Sequence, residues 1–306
     1  MPEDSYSRYL LSKRTVDDRS LNRHVLKRFR AELDPWSSLR VVEIGAGLGT
    51  MVARLVDWQF ITRAEYCLVD VDAQLLADAR AWLLSWAAVR GFSTTEHADQ
   101  LVIQDKAAIE VKVRFICAEI GAFLGAEADP STPRLPPADV LVANAFLDLV
   151  DVPAMLPRLF DLIVAGGLYW FSINFDGETI FEPEHPDDGQ FLRVYHRSMD
   201  ERVRYGRRAG ESKCGRHLFA HLRAAGATIL AAGASDWVVH GQNGGYGDDE
   251  GHFLHQIVDT VGAELRQHAE IGATSLSEWL SLRHAQIDRG ELVYLAHQLD
   301  FVGRRP

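Results

Sequence analysis

Short β-rich apolar runs alternate with longer amphipathic stretches through the first 175 residues. Leu39 to Ile44 is the first such run; it stops at Gly45, and a helical pattern follows from Met51 to about Trp58. Glu65 to Asp70 predicts a second strand. An Ala- and Leu-rich helix then runs to about Arg90, with Asp72 as its N-cap and Gly91 as its stop. Val111 to Ala118 predicts a third strand, and residues 92–110 before it fit no simple strand-to-helix loop and read as an excursion. Ala138 to Ala143 is a fourth strand, entered through the Pro-rich stretch Pro130 to Pro137. A helix from about Ala154 to Val164 is closed by Gly166-Gly167, and Leu168 to Phe175 is a fifth strand. Strands alternating with helices predict an α/β protein with a parallel sheet rather than a sandwich. No internal repeat and no low-complexity tract interrupts the pattern.

The flanks are less regular. Residues 5–33 space apolar positions as one or two amphipathic helices, ended by Asp34-Pro35. After the fifth strand, residues 176–212 are polar, acidic from Asp176 to Asp188 and basic from Arg193 to Arg208. Gly215 to Ala225 predicts a helix, and Ala227 to Val239 a strand broken around Gly233. Residues 248–289 predict two helices, and Glu291 to Val302 a last strand.

Composition narrows the class. Of 306 residues, 47% are hydrophobic and 25% charged, which excludes wholesale disorder, a collagen-like fibre and a disulfide-dense mini-protein. A net charge of −11 repels phosphate backbones and argues against nucleic acid as a partner. Cys67, Cys117 and Cys214 form no CxxC pair and read as small buried residues in a reducing compartment. Met1-Pro2-Glu3-Asp4 starts no secretory signal, and no apolar run reaches the length of a membrane span. The expected setting is cytoplasmic, with no membrane partner.

The most informative segment is Val41 to Thr50, where a strand ends in Gly45-Ala46-Gly47-Leu48-Gly49 and feeds a helix. Missing Cβ atoms let a backbone approach a ligand, and a helix N-terminus offers free N–H groups. The spacing G-x-G-x-G with Thr50 next departs from the dinucleotide pattern, which needs Gly or Ala at position 50. Asp70 ends the next strand, 21 residues beyond Gly49, where an acid can accept hydrogen bonds from both hydroxyls of a ribose. Asp72 competes for that role but is better explained as the helix N-cap. The pair predicts a nucleoside-containing ligand at the carboxyl ends of adjacent strands.

From about residue 39 to 176 the chain resembles a class I S-adenosylmethionine (SAM)-dependent methyltransferase. The residues that carry the resemblance are Glu43 to Gly49, Leu68-Val69-Asp70, Phe115 to Glu119, Ala138 to Asn144 and Ala165 to Leu168. The resemblance implies a Rossmann-like, doubly wound seven-stranded sheet of order 3-2-1-4-5-7-6 with strand 7 antiparallel. It implies one methyltransferase domain over 1–306. Its core would be 37–240 and 291–306, its helical cap 1–36, and its cap insertions 176–212 and 241–290. It places Glu43, Gly45, Ala46, Gly47 and Gly49 beside the methionine part of SAM and Asp70 at the ribose, with Val71 also in contact with the cofactor. Glu119, with Ile120, stands where the family has an Asp near the adenine. Asn144 and Ala145 would lie next to the sulfonium. Arg14 would pair with the SAM carboxylate, with Arg8 and Arg19 as rivals.

SAM carries the electrophile, so the protein must align a nucleophile and exclude water. After the fourth strand stands Asn144-Ala145-Phe146-Leu147, not the Asn/Asp-Pro-Pro-aromatic run used on exocyclic base amines, and no Pro-Cys follows. A small-molecule acceptor is therefore expected. Its pocket would be built from residues 5–22, 144–150, 176–212 and 240–255. These segments carry Tyr6, Tyr9, Asp148, His185, Arg193, Tyr195, His196, His240, Tyr246 and His252. His196 or Asp148 would be the base where the acceptor arrives protonated. His240, His252 and His255 with Asp248 to Glu250 fit no metal-ligand spacing, so no metal is expected. The run Gly241 to Gly247 reads as a mobile loop. The helices of 248–289 are expected over the carboxyl ends of the strands; the alternatives are burial against each other or a homodimer contact. Two functional alternatives stand: a nicotinamide dehydrogenase, and a SAM-binding sensor or partner subunit without transferase activity.

Overall fold

The computed structural model describes residues 6–34, 36–123, 135–204 and 206–306. Met1 to Asp4, Pro35 and the Pro-rich entry to the fourth strand as far as residue 134 lie outside the described residues. Three helices open the chain: α1 (Tyr6–Ser12), α2 (Arg14–Ser20) and α3 (Arg23–Leu33). The third arises because Asn22 breaks the run and caps α3, its side chain accepting the N–H groups of His24 and Val25.

The core follows as β1 (Leu39–Ile44), α4 (Thr50–Asp57), β2 (Arg63–Asp70), α5 (Ala73–Arg90), β3 (Ser93–Glu96), β4 (Gln100–Gln104) and β5 (Glu110–Cys117). Next come α6 (Ile120–Phe123), β6 (Ala138–Asn144), α7 (Val152–Phe160), β7 (Ile163–Glu182), α8 (Asp188–Glu201), β8 (Val203–Arg204), β9 (Arg207–Arg208) and α9 (Cys214–Ala224). The chain closes with β10 (Thr228–Ala234), β11 (Trp237–Val239), α10 (Glu250–Leu265), α11 (Ala273–Asp288) and β12 (Val293–Arg304). As expected, Asp72 caps α5 through the N–H groups of Gln74 and Leu75, and Gly91 ends it in a left-handed conformation.

The strand order is β10-β12-β7-β6-β1-β2-β5-β4-β3. Its first seven strands, read from β5 to β10, are the implied order 3-2-1-4-5-7-6. β12 is antiparallel to both of its neighbours. Apolar cores fill both faces: one holds Val41, Leu68, Trp170 and Phe29, the other Ile44, Leu141, Phe171 and Leu218.

Several boundaries differ from the sequence reading. Residues 92–110 are no excursion: β3 and β4 form a hairpin that extends the sheet antiparallel to β5. Leu101 and Ile103 point into the core, which explains the pairing. The helix predicted from Ala154 to Val164, now α7, ends at Phe160, because the strand already begins at Ile163, beside Ala138. β7 also runs on to Glu182, past the polar Asp176-Gly177-Glu178. It pairs there with the start of β12, and Phe181 packs against Trp279 and Tyr294. The predicted sixth strand breaks at Ser235-Asp236, not at Gly233. Asp236 accepts from the His297 ring and the Gln298 N–H, while Gly233 lies against the Asn22 side chain. Cys67 and Cys214 are buried, but Cys117 is exposed because it is the last residue of β5, beyond the stretch that β4 pairs with; all three are free thiols. The run Gly241 to Gly247 is a pinned turn. Gln242 bridges Gly245, Gly290 packs against Gly244, and the Tyr246 hydroxyl donates to Leu292 O (2.8 Å).

The β7–β12 ribbon projects past the carboxyl ends of β1, β2 and β6, and α10 and α11 hang from it. Helix α10 packs on α1 and α8. Tyr9 stacks on Phe253 with ring centroids 6.0 Å apart, and Glu250 accepts from Thr15 (2.8 Å) and Arg19. The insertion therefore packs on the N-terminal helix α1, whose Leu10 meets the glycine loop at Gly47. No helix among the described residues is long and apolar enough to cross a membrane.

Candidate cofactor and acceptor site

The loop after β1 turns through three left-handed glycines, Gly45 (φ 65°), Gly47 (φ 53°) and Gly49 (φ 65°). A side chain at any of them would be strained. Asp70 latches the loop from the end of β2: its Oδ2 accepts the Gly47 N–H (2.8 Å) and its Oδ1 the Asp72 N–H (3.1 Å). A second tie runs from the Ala46 N–H to Val69 O (3.2 Å). The glycines also make room for the protein's own side chains. A Cβ on Gly45 would run into the Phe146 ring, one on Gly49 into Leu68, and one on Gly47 would meet Leu10 Cδ1 at 3.0 Å. The reason expected for the missing Cβ atoms, approach of a ligand alone, is therefore incomplete.

Beside Asp70, Val71 is 60% exposed, a large apolar side chain left open at the strand ends. The Cys117 thiol reaches Val71 O (3.5 Å), and the Ala118 N–H donates to Asp70 O (2.8 Å), so the end of β5 is tied to the same corner. Glu119 folds its carboxylate over Gly121 in the first turn of α6, which Ile120 begins.

Glu43 does not reach the loop surface. It is 3% exposed and its carboxyl accepts from the Tyr66 hydroxyl (2.9 Å). Burial pushes its pKa up to about 8, with the Tyr66 hydrogen bond and Arg54 opposing. Under it lies a buried ionic network that the sequence reading missed. Lys13 Nζ meets Asp17 Oδ2 (2.8 Å), and Arg54 meets Asp17 (3.5 Å), Asp18 and Thr50 Oγ1 (3.2 Å). Trp237 Nε1 donates to Asp17 Oδ1 (3.0 Å). The Lys13–Asp17 spacing in α2 is the sequence signal for part of it. The network clamps α2 to α4, directly below the glycine loop.

Across the loop, Asn144 ends β6. Its Oδ1 accepts from the Ser172 hydroxyl (2.8 Å), and the Ala145 N–H donates to Ser172 O (2.9 Å) with Ala145 at φ 51°. This turn delivers Phe146 against Gly45 and starts a single 3₁₀ turn, Leu147–Leu149, that carries Asp148. Asp148 Oδ1 is buried with no hydrogen-bond partner. Burial raises its pKa to about 6, opposed by a hydrogen bond from its own backbone N–H and by Arg202 and Lys13. Tyr195 and Tyr6 both lie in the field of Asp148, and Tyr6 also in that of Asp70. Tyr6 stacks on Tyr9 (5.6 Å), which continues to Phe253.

Other expected site residues lie elsewhere. Arg14 sits over the Trp82 ring (5.6 Å) and beside Asp18 (3.7 Å), lining a cavity of about 330 Å³ with Leu11, Asp248 and Asp249. Its rivals are also engaged, Arg8 with Asp249 and Arg19 with Glu250. His196 is not beside Asp148: its Nε2 meets Thr179 Oγ1 (3.0 Å), its ring packs on Phe175, and burial lowers its pKa. Its neighbour in sequence, Tyr195, takes the inward place because the two point to different faces of α8. His185 and Tyr246 serve turns. His255 pairs with His284 (Nδ1 to Nδ1, 2.7 Å), not with His240 or His252. Among the described residues no three His, Cys, Asp or Glu side chains are grouped to hold a metal ion.

No protein-family profile matches the chain, and no curated protein matches it. Solved structures of similar shape exist. A SAM-dependent methyltransferase from Thiobacillus denitrificans in complex with S-adenosyl-L-homocysteine (SAH) aligns over 99% of this chain and 100% of its own, at 14% identity and a TM-score of 0.48. The cyclopropane synthase MmaA2 from Mycobacterium tuberculosis aligns over 92% of this chain and 84% of its own, at 10% identity and a TM-score of 0.45. At such identities and scores these likenesses lend no weight to a functional reading.

Proposed function

We propose that the chain binds SAM across its glycine loop and transfers the methyl group to a small-molecule acceptor. The observation that carries the reading is the Asp70 latch: a strand-end acid bonded to the apex of a three-glycine loop, at the carboxyl edge of a sheet of order 3-2-1-4-5-7-6. Asp70 has lone pairs left for ribose hydroxyls, since a carboxylate accepts at about four sites. The exposed face of Val71, with Ile120 three residues beyond the Cys117 that touches it, suits an adenine ring. Ala46, Gly47 and the start of α4 would border the methionine part. Thr50 begins α4 and receives Arg54 on its hydroxyl, so the position a dinucleotide loop leaves to Gly or Ala is filled.

SAM, when bound, supplies a methyl on a sulfonium, an electrophile ready for in-line displacement. The remaining work belongs to the chain. The cap of α1, α2, α8 and α10 excludes water above the loop, and Asn144 and Phe146 border the transfer edge. We assign the base to Asp148 rather than His196. The unpartnered Oδ1 of Asp148 can take a proton from an acceptor hydroxyl or ammonium, and a pKa of about 6 leaves it mostly ionised at neutral pH.

Calorimetry with SAH and with NAD tests the cofactor. Conversion of methyl-labelled SAM to SAH in the presence of a metabolite pool tests the transfer. Binding of SAH with labelled product forming supports the reading. Preference for NAD overturns it, and SAH binding with no turnover by any pool points to the sensor instead.

A further inference from the structure

Ile173 is β-branched and sits in mid-strand at φ 57°, a conformation such residues rarely adopt. It belongs to a bulge. Leu299 pairs with Asn174 and Phe301 with Phe171, so Ser172 and Ile173 together face the single residue Asp300. A bulged residue loses its ladder partner, and here a side chain replaces it. Asp300 Oδ1 accepts the Ile173 N–H at 2.7 Å, and Asp300 Oδ2 accepts the Asn22 N–H at the start of α3 at 2.8 Å. Asp300 is 1% exposed, in an otherwise apolar run of β12. On the other side of the bulge, Ser172 holds both the Asn144 side chain and the Ala145 N–H. Ala145 is itself left-handed, and the next residue lies on Gly45. Two strained residues on adjacent strands are therefore joined by Ser172 and held from one buried carboxylate.

We propose that Asp300 is a positioning residue for methyl transfer: its carboxylate locks the Ile173 bulge and, through Ser172, sets Asn144, Ala145 and Phe146 at the transfer edge. The inference rests on the methyl-transfer reading for its catalytic consequence, but not for the mechanical link. Because Asp300 also holds Asn22, the same carboxylate joins the N-terminal cap to that edge.

The test compares Asp300→Ala, Ile173→Gly and the double variant in the full chain. Glycine adopts a left-handed conformation without a latch, so Ile173→Gly should make the bulge independent of Asp300. Three readouts are taken: amide exchange at Ala145 in SAH-free protein, SAH affinity by calorimetry, and turnover of methyl-labelled SAM with the metabolite pool. In Asp300→Ala, Ala145 exchange should speed up and turnover at saturating SAM should fall by about tenfold, the scale of one released strained residue. SAH affinity should move by less than about threefold, since Asp70 and its loop are untouched. The double variant should slow Ala145 exchange again and recover most of the turnover. Unchanged Ala145 exchange in Asp300→Ala overturns the link, whether or not methyl transfer is detected. A double variant that folds but exchanges and turns over as Asp300→Ala does overturns the route through Ile173. Should Asp300→Ala fail to fold, Asp300→Asn is compared with and without Ile173→Gly: its one side-chain oxygen serves only one of the two N–H groups, so any acceleration at Ala145 must vanish in the glycine background, and acceleration that persists there refutes the proposal. Wild-type protein that neither binds SAH nor turns SAM over removes the function and leaves the exchange result standing.

Discussion

Replacing Glu43 by Gln probes the charge state of the acid beneath the glycine loop. Burial raises its pKa from 4.5 to about 8, so the native protein holds it protonated at neutral pH while the unfolded chain leaves it ionised. The stability contribution is then full below the unfolded value of 4.5, declines as pH rises, and levels off above about 8. At about 1.36 kcal/mol per pH unit, the wild type should lose roughly 2.7 kcal/mol between about pH 5 and pH 7 through this group. The amide introduced by Glu43→Gln keeps an oxygen for the Tyr66 hydroxyl and cannot titrate. Any cost of seating that amide near Arg54 is independent of pH. The measurement is denaturant unfolding of both proteins across that range, taken as the variant's stability minus the wild type's, which cancels the titration of every other group. The difference should rise by roughly 2.7 kcal/mol in favour of the variant, or about 4 °C in melting temperature for a chain of this length. A flat difference would mean that Glu43 stays ionised in the fold, held by Arg54, and would refute the neutral acid. SAH affinity should change little, because the carboxyl is sealed below the loop.

Four further outcomes follow from the geometry. Asp70→Ala should weaken SAH binding by about 1.5–3 kcal/mol through lost charged hydrogen bonds, while Asp72→Ala should lower stability by about 1 kcal/mol through a lost N-cap and leave affinity near wild type; calorimetry and melting separate them. Gly47→Val should both weaken SAH binding and destabilise the fold, because its Cβ displaces Leu10 of α1 at a left-handed position; a fully stable variant with normal affinity contradicts this. Asp148→Asn should cut turnover of methyl-labelled SAM by about 100-fold and abolish a rise in wild-type rate through about pH 6. Burial, with His284, lowers the His255 pKa, so stability should be full above its unfolded value of 6.5 and decline as pH falls below it. His255→Asn should flatten that acid branch in a melting series, and an unchanged branch would show that His255 does not titrate there.

The alternation of strands and helices and the α5 caps were legible in the chain because each depends on local chemistry; the strand order came only with the family resemblance, since lateral pairing is a tertiary property. Strands as short as Leu39–Ile44 need only a run of apolar β-formers, Asp72 and Gly91 bracket their helix from adjacent positions, and Asp70 and Asn144 stand at strand ends that the pattern itself marks. The places where the reading failed are those where distant segments supply the missing partner. The β3–β4 hairpin joins a polar β3 to an apolar run, Leu101–Ile103, too short to mark a strand until β5 pairs with it, and β7 continues through Asp176-Gly177-Glu178 because β12 pairs with it and Arg216 takes the acid. Cys117 is exposed because it is the last residue of β5, beyond the stretch that β4 pairs with. Arg14 lies on Trp82 and His196 on Thr179, because a long side chain goes to whatever charge, ring or hydroxyl the fold brings near it. The Lys13–Asp17–Arg54 network and the Asp300 latch join residues up to 278 positions apart, as in the Asn22–Asp300 bond. No periodicity encodes such a pair: a buried charge is tolerated only where tertiary structure delivers its partners, and only that structure says which partners they are.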